Sequence, residues 1–280
     1  MSYQDIRVER DGGIATITLN RPDSLNSLSI NMSDELEEAI EGLKGDRSVN
    51  FVVFRGANDT FCSGDDITEM PEWGDPTDVM HRISLYQRLS QEIEHLDQVT
   101  VAAVDGYATG GGLEITMACD FVVATERANW GMPEVNWGIT PGWGGTTRLT
   151  RYIGLRKAKE INMIGALHPA DEAVDLGLWN RTVPADELDD EVASLIEVLE
   201  SKNMQTLRQL KFVLNYGAET PLPLALGFER MNEGLSASNA WGVGPVEDSE
   251  PGKGLEAFRE KNEYFEKVRE LSDDFWVDEN

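Results

Sequence analysis

Thr100-Val101-Ala102-Ala103-Val104, then Asp105-Gly106-Tyr107-Ala108-Thr109-Gly110-Gly111-Gly112-Leu113-Glu114, then Ile115-Thr116-Met117-Ala118-Cys119-Asp120 and Phe121-Val122-Val123-Ala124, form one continuous stretch of this chain. Its first five residues are apolar or β-branched and read as a buried strand. The glycine-rich run is a loop that opens a helix over 112–119, and 121–124 is a second buried strand. Strand, loop, helix, strand is the local grammar of an α/β layer fold.

The same grammar extends outward. Residues 50–55, Asn50-Phe51-Val52-Val53-Phe54-Arg55, form a short apolar run that stops at Gly56. Upstream, extended runs at 6–9 and 14–19 flank Asp11-Gly12-Gly13 and predict a β-hairpin. Ser33-Asp34-Glu35-Leu36 opens a helix with Leu36, Ile40 and Leu43 on one face, ending near Gly45. From Leu188 onward the strand signal disappears, and helical periodicity takes over at 188–199, 206–216 and 222–231. The boundary is placed near residue 195: a β/α core over 1–195, and a helical region over 196–280 that must bury its apolar stripe on the core or on another subunit. That second region includes a helical stretch at 254–270 and a solvated acidic end.

Composition excludes several classes of function. The 280 residues carry 51 acidic and 24 basic side chains, for a net charge of −27. So negative a surface repels phosphate backbones and anionic lipid, which argues against nucleic-acid and membrane partners. With 40% hydrophobic residues the chain can bury a substantial core. No secretory segment opens it, and no apolar run approaches the roughly 18 residues of a membrane span, so a cytoplasmic protein is expected. Cys62 and Cys119 lack metal-type spacing and read as buried, reduced thiols, so no metal is expected. The charges comprise 22 Asp and 29 Glu against 8 Lys and 16 Arg, a pattern suited to molar salt, where screening weakens self-repulsion.

The chemistry-bearing residues concentrate in two glycine-rich segments, Phe61-Cys62-Ser63-Gly64-Asp65-Asp66-Ile67 and Gly106 to Glu114. Glycines at a helix start let backbone N–H groups approach an anion at the positive end of the helix dipole. The run has neither the Lys-Ser/Thr of a P-loop nor a Gly-x-Gly-x-x-Gly spacing, so an oxyanion suits it better than a nucleotide phosphate; a tight turn with close helix packing is the plainer alternative. Glu114 stands in the first helical turn, as a dipole-stabilising group or as a titrating one. Glu134 lies in Gly131-Met132-Pro133-Glu134, on a loop stiffened by proline and glycine. Two carboxylates beside an anion hole can run acid–base chemistry next to a carbonyl.

Taken together, the motifs resemble the enoyl-CoA hydratase (crotonase) family. The resemblance rests on Asn20-Arg21-Pro22 with Leu25-Asn26, Phe61 to Asp66, Asp105-Gly106-Tyr107 with Gly110 to Glu114, Ala118-Cys119-Asp120, and Pro133-Glu134 through Pro141-Gly142-Trp143-Gly144-Gly145-Thr146-Thr147-Arg148-Leu149. It runs from the hairpin to about residue 184, and more weakly to 262. It implies a spiral of ββα units followed by helices that build a homotrimer, often a dimer of trimers. It implies an acyl-CoA substrate, no separate cofactor, and reversible addition of water to a trans-2-enoyl-CoA. The oxyanion hole would be the backbone N–H groups of Asp65 and Gly111. Glu114 would activate the water and Glu134 would deliver the proton at Cα. Coenzyme A would lie along Ser24, Ser63, Asp65, Asp66 and Ile67, with Phe258 and Lys261 reaching over from a neighbouring subunit; a plain solvated helix charge is the alternative for Lys261.

The chain also departs from the family pattern. Asp23 stands where lysine is common, Asn262 where arginine is common, and Asp65 where a small or apolar residue is usual, its side chain expected to turn away from the oxyanion site. Trp130, Trp137 and Trp143 crowd the sequence around Glu134, as an acyl pocket or as loop packing. As a pocket they would suit a cyclic, aromatic or short branched acyl group, and so a sibling hydratase, isomerase or hydrolase chemistry. A non-catalytic binding protein is the remaining alternative, disfavoured by the negative charge and by the presence of both glutamates.

Overall fold

The N-terminal hairpin forms as expected: β1 (Ile6–Asp11) pairs antiparallel with β2 (Ile14–Leu19), with Ile6 opposite Leu19 and Asp11 opposite Ile14. The structure, a computed structural model, describes residues 3–241. After the hairpin come α1 (Ile30–Glu41), β3 (Phe51–Gly56), α2 (Pro76–Glu94), β4 (Val99–Val104), β5 (Tyr107–Thr109), α3 (Gly111–Ala118), β6 (Phe121–Thr125) and β7 (Asn129–Gly131). Then follow α4 (Gly145–Ile164), β8 (His168–Pro169), α5 (Ala170–Asp175), β9 (Arg181–Val183), α6 (Leu188–Glu200), α7 (Met204–Ala218) and α8 (Leu222–Trp241).

Two sheets carry the α/β architecture. The larger has the order β1-β2-β3-β4-β6-β9, parallel from β2 onward, and the smaller has the order β5-β7-β8. All six residues of β4 are buried, as expected of a parallel strand covered on both faces. Asp120 ties the start of β4 down, its carboxylate accepting from the Thr100 N–H and hydroxyl at 2.8 and 3.0 Å. On α1, Leu36 and Ile40 are fully buried, each worth about 1.5–3 kcal/mol of apolar burial.

Three differences from the sequence reading have physical causes. Helix α1 starts before Ser33, because Ser29 is its N-cap: the Ser29 hydroxyl accepts from the Met32 N–H at 2.9 Å, while Ser33 bonds back to the Ser29 carbonyl from inside the helix. Helix α2 has too weak an apolar periodicity to be expected from pattern. Its start is nevertheless written in the chain as Asp75-Pro76-Thr77-Asp78, a capping box with proline in the first turn. The boundary placed near residue 195 falls inside α6, which packs on β4 and β6 through buried Val192, Leu195, Ile196 and Leu199. The chain divides into compact units between Arg208 and Gln209.

In the second unit, Phe212 of α7 meets Phe228 of α8 edge-on at 5.9 Å between ring centres. The helix at 254–270, the acidic end, Phe258, Lys261 and Asn262 lie outside the described residues. Among the described residues, no helix is long and apolar enough to cross a membrane.

Candidate active site

The loop 62–66 is laced between two neighbours, and that lacing aims its amides. On one side Leu28 N–H donates to the Gly64 carbonyl (2.8 Å), Asp66 N–H to the Leu28 carbonyl (3.0 Å) and Ser63 N–H to the Leu25 carbonyl (3.1 Å). On the other, Cys62 N–H donates to the Tyr107 carbonyl (2.7 Å) and Thr109 N–H to the Cys62 carbonyl (3.0 Å). Asp65 is paired with Leu28 as an isolated parallel bridge, in which the N–H of the residue between the two bonded positions points to the opposite side. No acceptor among the described residues receives the Asp65 N–H.

The second unused amide comes from the triple glycine, whose members do different jobs. Gly110 has φ +51 and makes the turn into α3; a Cβ there would lie 3.1 Å from Glu134 Oε1. Gly111 is the first residue of α3, and its N–H has no acceptor among the described residues, as the first amides of a helix do not unless something is brought to them. Gly112 sits so close to the 62–66 loop that a Cβ would fall 2.3 Å from the Cys62 carbonyl oxygen. The close approach of α3 to that loop brings the two unused amides, Asp65 and Gly111, to the same place: a Cβ on Gly64 would lie 3.5 Å from the Gly111 nitrogen.

Three carboxyls surround these amides. Glu114, in the first turn of α3, is fully buried; its Oε1 accepts from the Gly145 N–H at the start of α4 (2.5 Å), and its Oε2 has no partner. Burial, with the Asp65 and Glu134 charges nearby, pushes it up to about 8, against the lowering effect of the Gly145 and Trp143 amides. Glu134 is held in a 3-10 turn, Pro133–Trp137, that ends on a left-handed Gly138 and is anchored by Asn136 Nδ2 donating to the Gly165 carbonyl (2.8 Å). It is 8% exposed, its Oε2 is also unpartnered, and burial pushes it up to about 7.

Asp65 is the third carboxyl, and its side chain does not turn away. Oδ1 accepts from the Trp143 indole N–H at 3.0 Å, and Oδ2 would lie 3.5 Å from a Cβ on Gly111. Burial pushes it up to about 6, the indole N–H acting the other way. Carboxylate repulsion favours the outward rotamer expected from sequence, but the indole offers a donor on the inner side, and the hydrogen bond decides. Among the described residues, no lysine or arginine reaches within 4.0 Å of Asp65, Glu114 or Glu134; Arg21 is engaged with Asp66 and Arg148 with Glu94.

The neighbouring Asp66 is different. Its N–H is used on Leu28, and its carboxylate takes Arg21 Nη2 at 2.9 Å and the Thr68 hydroxyl at 2.6 Å. Burial alone would raise it, but Thr68 and Arg21 together hold it below the usual carboxylate value. It braces the loop. The Asn20-Arg21-Pro22 and Leu25-Asn26 motif does similar work: Asn26 Oδ1 accepts from the Arg21 N–H (3.0 Å), and its Nδ2 donates to the Ala57 (2.9 Å) and Thr60 (2.6 Å) carbonyls. Ser24 and Ser63 come together, the Ser63 hydroxyl facing the Ser24 carbonyl at 3.5 Å, with Leu25 and Ile67 left exposed beside them.

The tryptophan set does not line one pocket. Trp130 is fully buried, donates to the Pro169 carbonyl at 3.0 Å and packs against His168 and Trp179. Trp143 is also fully buried, stacked on Tyr86 of α2 at 4.5 Å. Trp137 is 62% exposed. Packing is therefore the reading for Trp130, and the part of Trp143 that matters to the site is its N–H. The sequence reading missed the Trp143, Tyr86 and Gly145 contributions. The Gly144-Gly145-Thr146-Thr147 helix start was the available signal for the last, since a helix N-terminus is where a buried carboxylate finds donors. Both cysteines are buried and outside any disulfide, as expected, and burial pushes the Cys62 thiol up to about 12. No cluster of metal-ligating side chains occurs among the described residues.

The family described as enoyl-CoA hydratase/isomerase matches residues 9–267. A short-chain-enoyl-CoA hydratase of Clostridium acetobutylicum is 35% identical over 230 residues, 82% of this chain and 88% of that protein. A crotonyl-CoA hydratase of Syntrophomonas wolfei is 34% identical over 236 residues, 84% of this chain and 90% of that protein. Among solved structures, an enoyl-CoA hydratase from Bacillus anthracis superimposes with a TM-score of 0.83 at 31% identity, covering 92% of this chain and 97% of that one. A structure from Thermobifida fusca in complex with CoA gives a TM-score of 0.76 at 28% identity, covering 84% and 93%.

Proposed function

This chain belongs to the enoyl-CoA hydratase/isomerase family, and from that premise we infer that it is an enoyl-CoA hydratase, adding water reversibly across the Cα=Cβ bond of a trans-2-enoyl-CoA. The observation that carries the reading is the convergence of two unused amides, Asp65 and Gly111, with two buried glutamates that each keep an unpartnered oxygen.

The thioester oxygen sits between the Asp65 and Gly111 N–H groups, which take up the negative charge as the enolate develops; one such donor is worth about 10²–10³ in rate. A water lies between Glu114 Oε2 and Glu134 Oε2. Glu114 removes its proton as the oxygen bonds to Cβ, and Glu134 gives a proton to Cα as the enolate collapses. One glutamate ends protonated and the other ionised, so a proton passing between them restores the starting state. An acid and a base at one pH require that the pair hold one proton between them, and the pair titrates jointly. Elevated glutamate values, about 8 and about 7, are compatible with that near neutrality.

The coenzyme A moiety lies along Ser24, Ser63 and Ile67, with the exposed Leu25 and Ile67 as its apolar flank. Asp66 serves this site as a brace. A homotrimer, or a dimer of trimers, is part of the proposal; the exposed Leu210 and Leu214 on α7, with Leu222, Leu226 and Leu235 on α8, support it as surface in need of a cover. The cyclic or aromatic acyl alternative loses its motive, since two of the three tryptophans are core residues.

The test is hydration of crotonyl-CoA followed by loss of enoyl absorbance in high salt. The wild-type chain turns over, and Glu114→Gln and Glu134→Gln each lose about 10²–10⁴ of kcat. Full activity in either variant would remove its assigned role.

A further inference from the structure

Asp65 lends its N–H to the oxyanion, which leaves its carboxyl without a task in that mechanism. That carboxyl is held in place. Oδ1 is fixed by the Trp143 indole N–H at 3.0 Å, the indole is fully buried and stacked on Tyr86, and Oδ2 faces Gly111. Rotation away from the site would break the indole bond and leave a buried donor unpaired.

The groups facing it are known from every side. Helix α3 contributes Glu114, the 3-10 turn contributes Glu134, α2 contributes the Tyr86 phenol, and its own loop contributes the Cys62 thiol. Arg82 lies beside Tyr86, and neither makes an ion pair with Asp65 among the described residues. The nearest committed cations, Arg21 and Arg148, are engaged elsewhere. Asp65 differs from the two glutamates in one respect that decides which group ionises first. Asp65 is partly exposed, whereas Glu114 and Glu134 are buried and each keeps a buried oxygen that no donor reaches.

Resting on the hydratase reading, we propose that Asp65 is a positioning residue for protons: its carboxylate, pinned by Trp143 beside the amide pair, is the fixed negative charge that keeps a proton on the Glu114–Glu134 pair. An ordinary pair of glutamates is fully ionised near neutrality and has no acid to offer. A like charge a few ångströms away disfavours the second ionisation and retains the proton. The electrostatics agree in direction, since the Asp65 charge raises both glutamates. Without that charge the work would fall to burial and to the repulsion between the two glutamates.

The experiment compares wild type with Asp65→Asn, which keeps the size of the side chain and an acceptor for the Trp143 N–H, and with Asp65→Glu, which restores the charge. Glutamate Cδ carbons are labelled with ¹³C and titrated by NMR on the resting protein, Glu114 and Glu134 being assigned through their Gln variants. Loss of the charge is expected to lower both titration midpoints by about one pH unit, and the alkaline limb of kcat moves down with them, while Asp65→Glu returns both toward wild type. Unchanged midpoints in Asp65→Asn would overturn the proposal. The titration needs no turnover, so a wild-type protein that fails to hydrate crotonyl-CoA counts against the hydratase reading alone, and the midpoints still decide the role of Asp65.

Discussion

Asp65 and Asp66 are neighbours in the chain and opposites in the fold. Asp66 is met by Arg21, Thr68 and the Ser27 hydroxyl, and its carboxyl is held low. Asp65 has one indole N–H and two glutamates for company, and its carboxyl is pushed up. The contrast extends across the molecule. Asp105 is tied by Arg127, the Thr125 hydroxyl at 2.7 Å and the Gly106 N–H at 2.9 Å, and is also held low although burial works against it. The fold compensates the carboxylates that brace loops and leaves uncompensated the three that surround the unused amides. In a chain with so few cations, that distribution separates scaffold from site.

The contrast breaks most visibly when the compensation is removed. Arg21→Ala strands Asp66, a side chain only 9% exposed, and also loses the bond to the Ser27 carbonyl at 2.7 Å. The expected loss is about 3 kcal/mol near neutral pH, read from the urea midpoint. Because the Asp66 carboxyl is held low in the folded state, its contribution is present above the unfolded value and disappears as pH falls through the folded one. The gap between wild type and variant therefore narrows in acid.

A smaller effect of opposite sign is expected at the uncompensated end. The Glu114–Glu134 pair is raised, so between about 4.5 and about 8 the folded pair holds a proton that the unfolded chain releases, and stability falls as pH rises through that window. Glu114→Gln removes the Glu114 share of that slope, and Glu134 and Asp65, which are also raised, keep theirs. The variant's unfolding free energy, read from the urea midpoint, matches wild type near pH 4 and exceeds it at pH 8 by on the order of 2 kcal/mol. A variant less stable than wild type at pH 8 would mean that the charge is compensated by something other than the Gly145 amide.

Salt sharpens the comparison with the smallest change per group. The net charge of −27 is spread over exposed acids, and ions screen those. Unfolding midpoints are expected to rise between low and molar KCl, while the Glu114 and Glu134 titrations, shielded from the electrolyte, stay nearly where they are. A midpoint that does not rise would remove the expectation of a molar-salt habitat.

Much of this was legible in the chain. The hairpin, the strands β3, β4 and β6 and helix α3 follow from short-range pattern, because buried parallel strands are continuous apolar runs and glycine marks close approach; the pairing of the two glutamates rests on the family resemblance. Helix α2 was obscured because its buried face is only Tyr86, Leu89, Ser90 and Ile93 in an otherwise polar run, so apolar periodicity is weak there and only the Asp75 capping box remains. The Trp143 contact with Asp65 joins residues far apart in sequence, and no local rule reports it. Whether Trp130 and Trp143 wall a pocket or pack the loop was open in the chain for the same reason: nearness to Glu134 along the chain does not say which way an indole faces.

The hydratase account is tested most directly by a structure of the protein in complex with a saturated acyl-CoA at neutral pH. The account requires the thioester oxygen about 2.7–3.2 Å from both the Asp65 and Gly111 nitrogens, with Cα and Cβ facing Glu134 and Glu114. A thioester bound away from those amides, or a Cβ that neither glutamate can reach through one water, would contradict it.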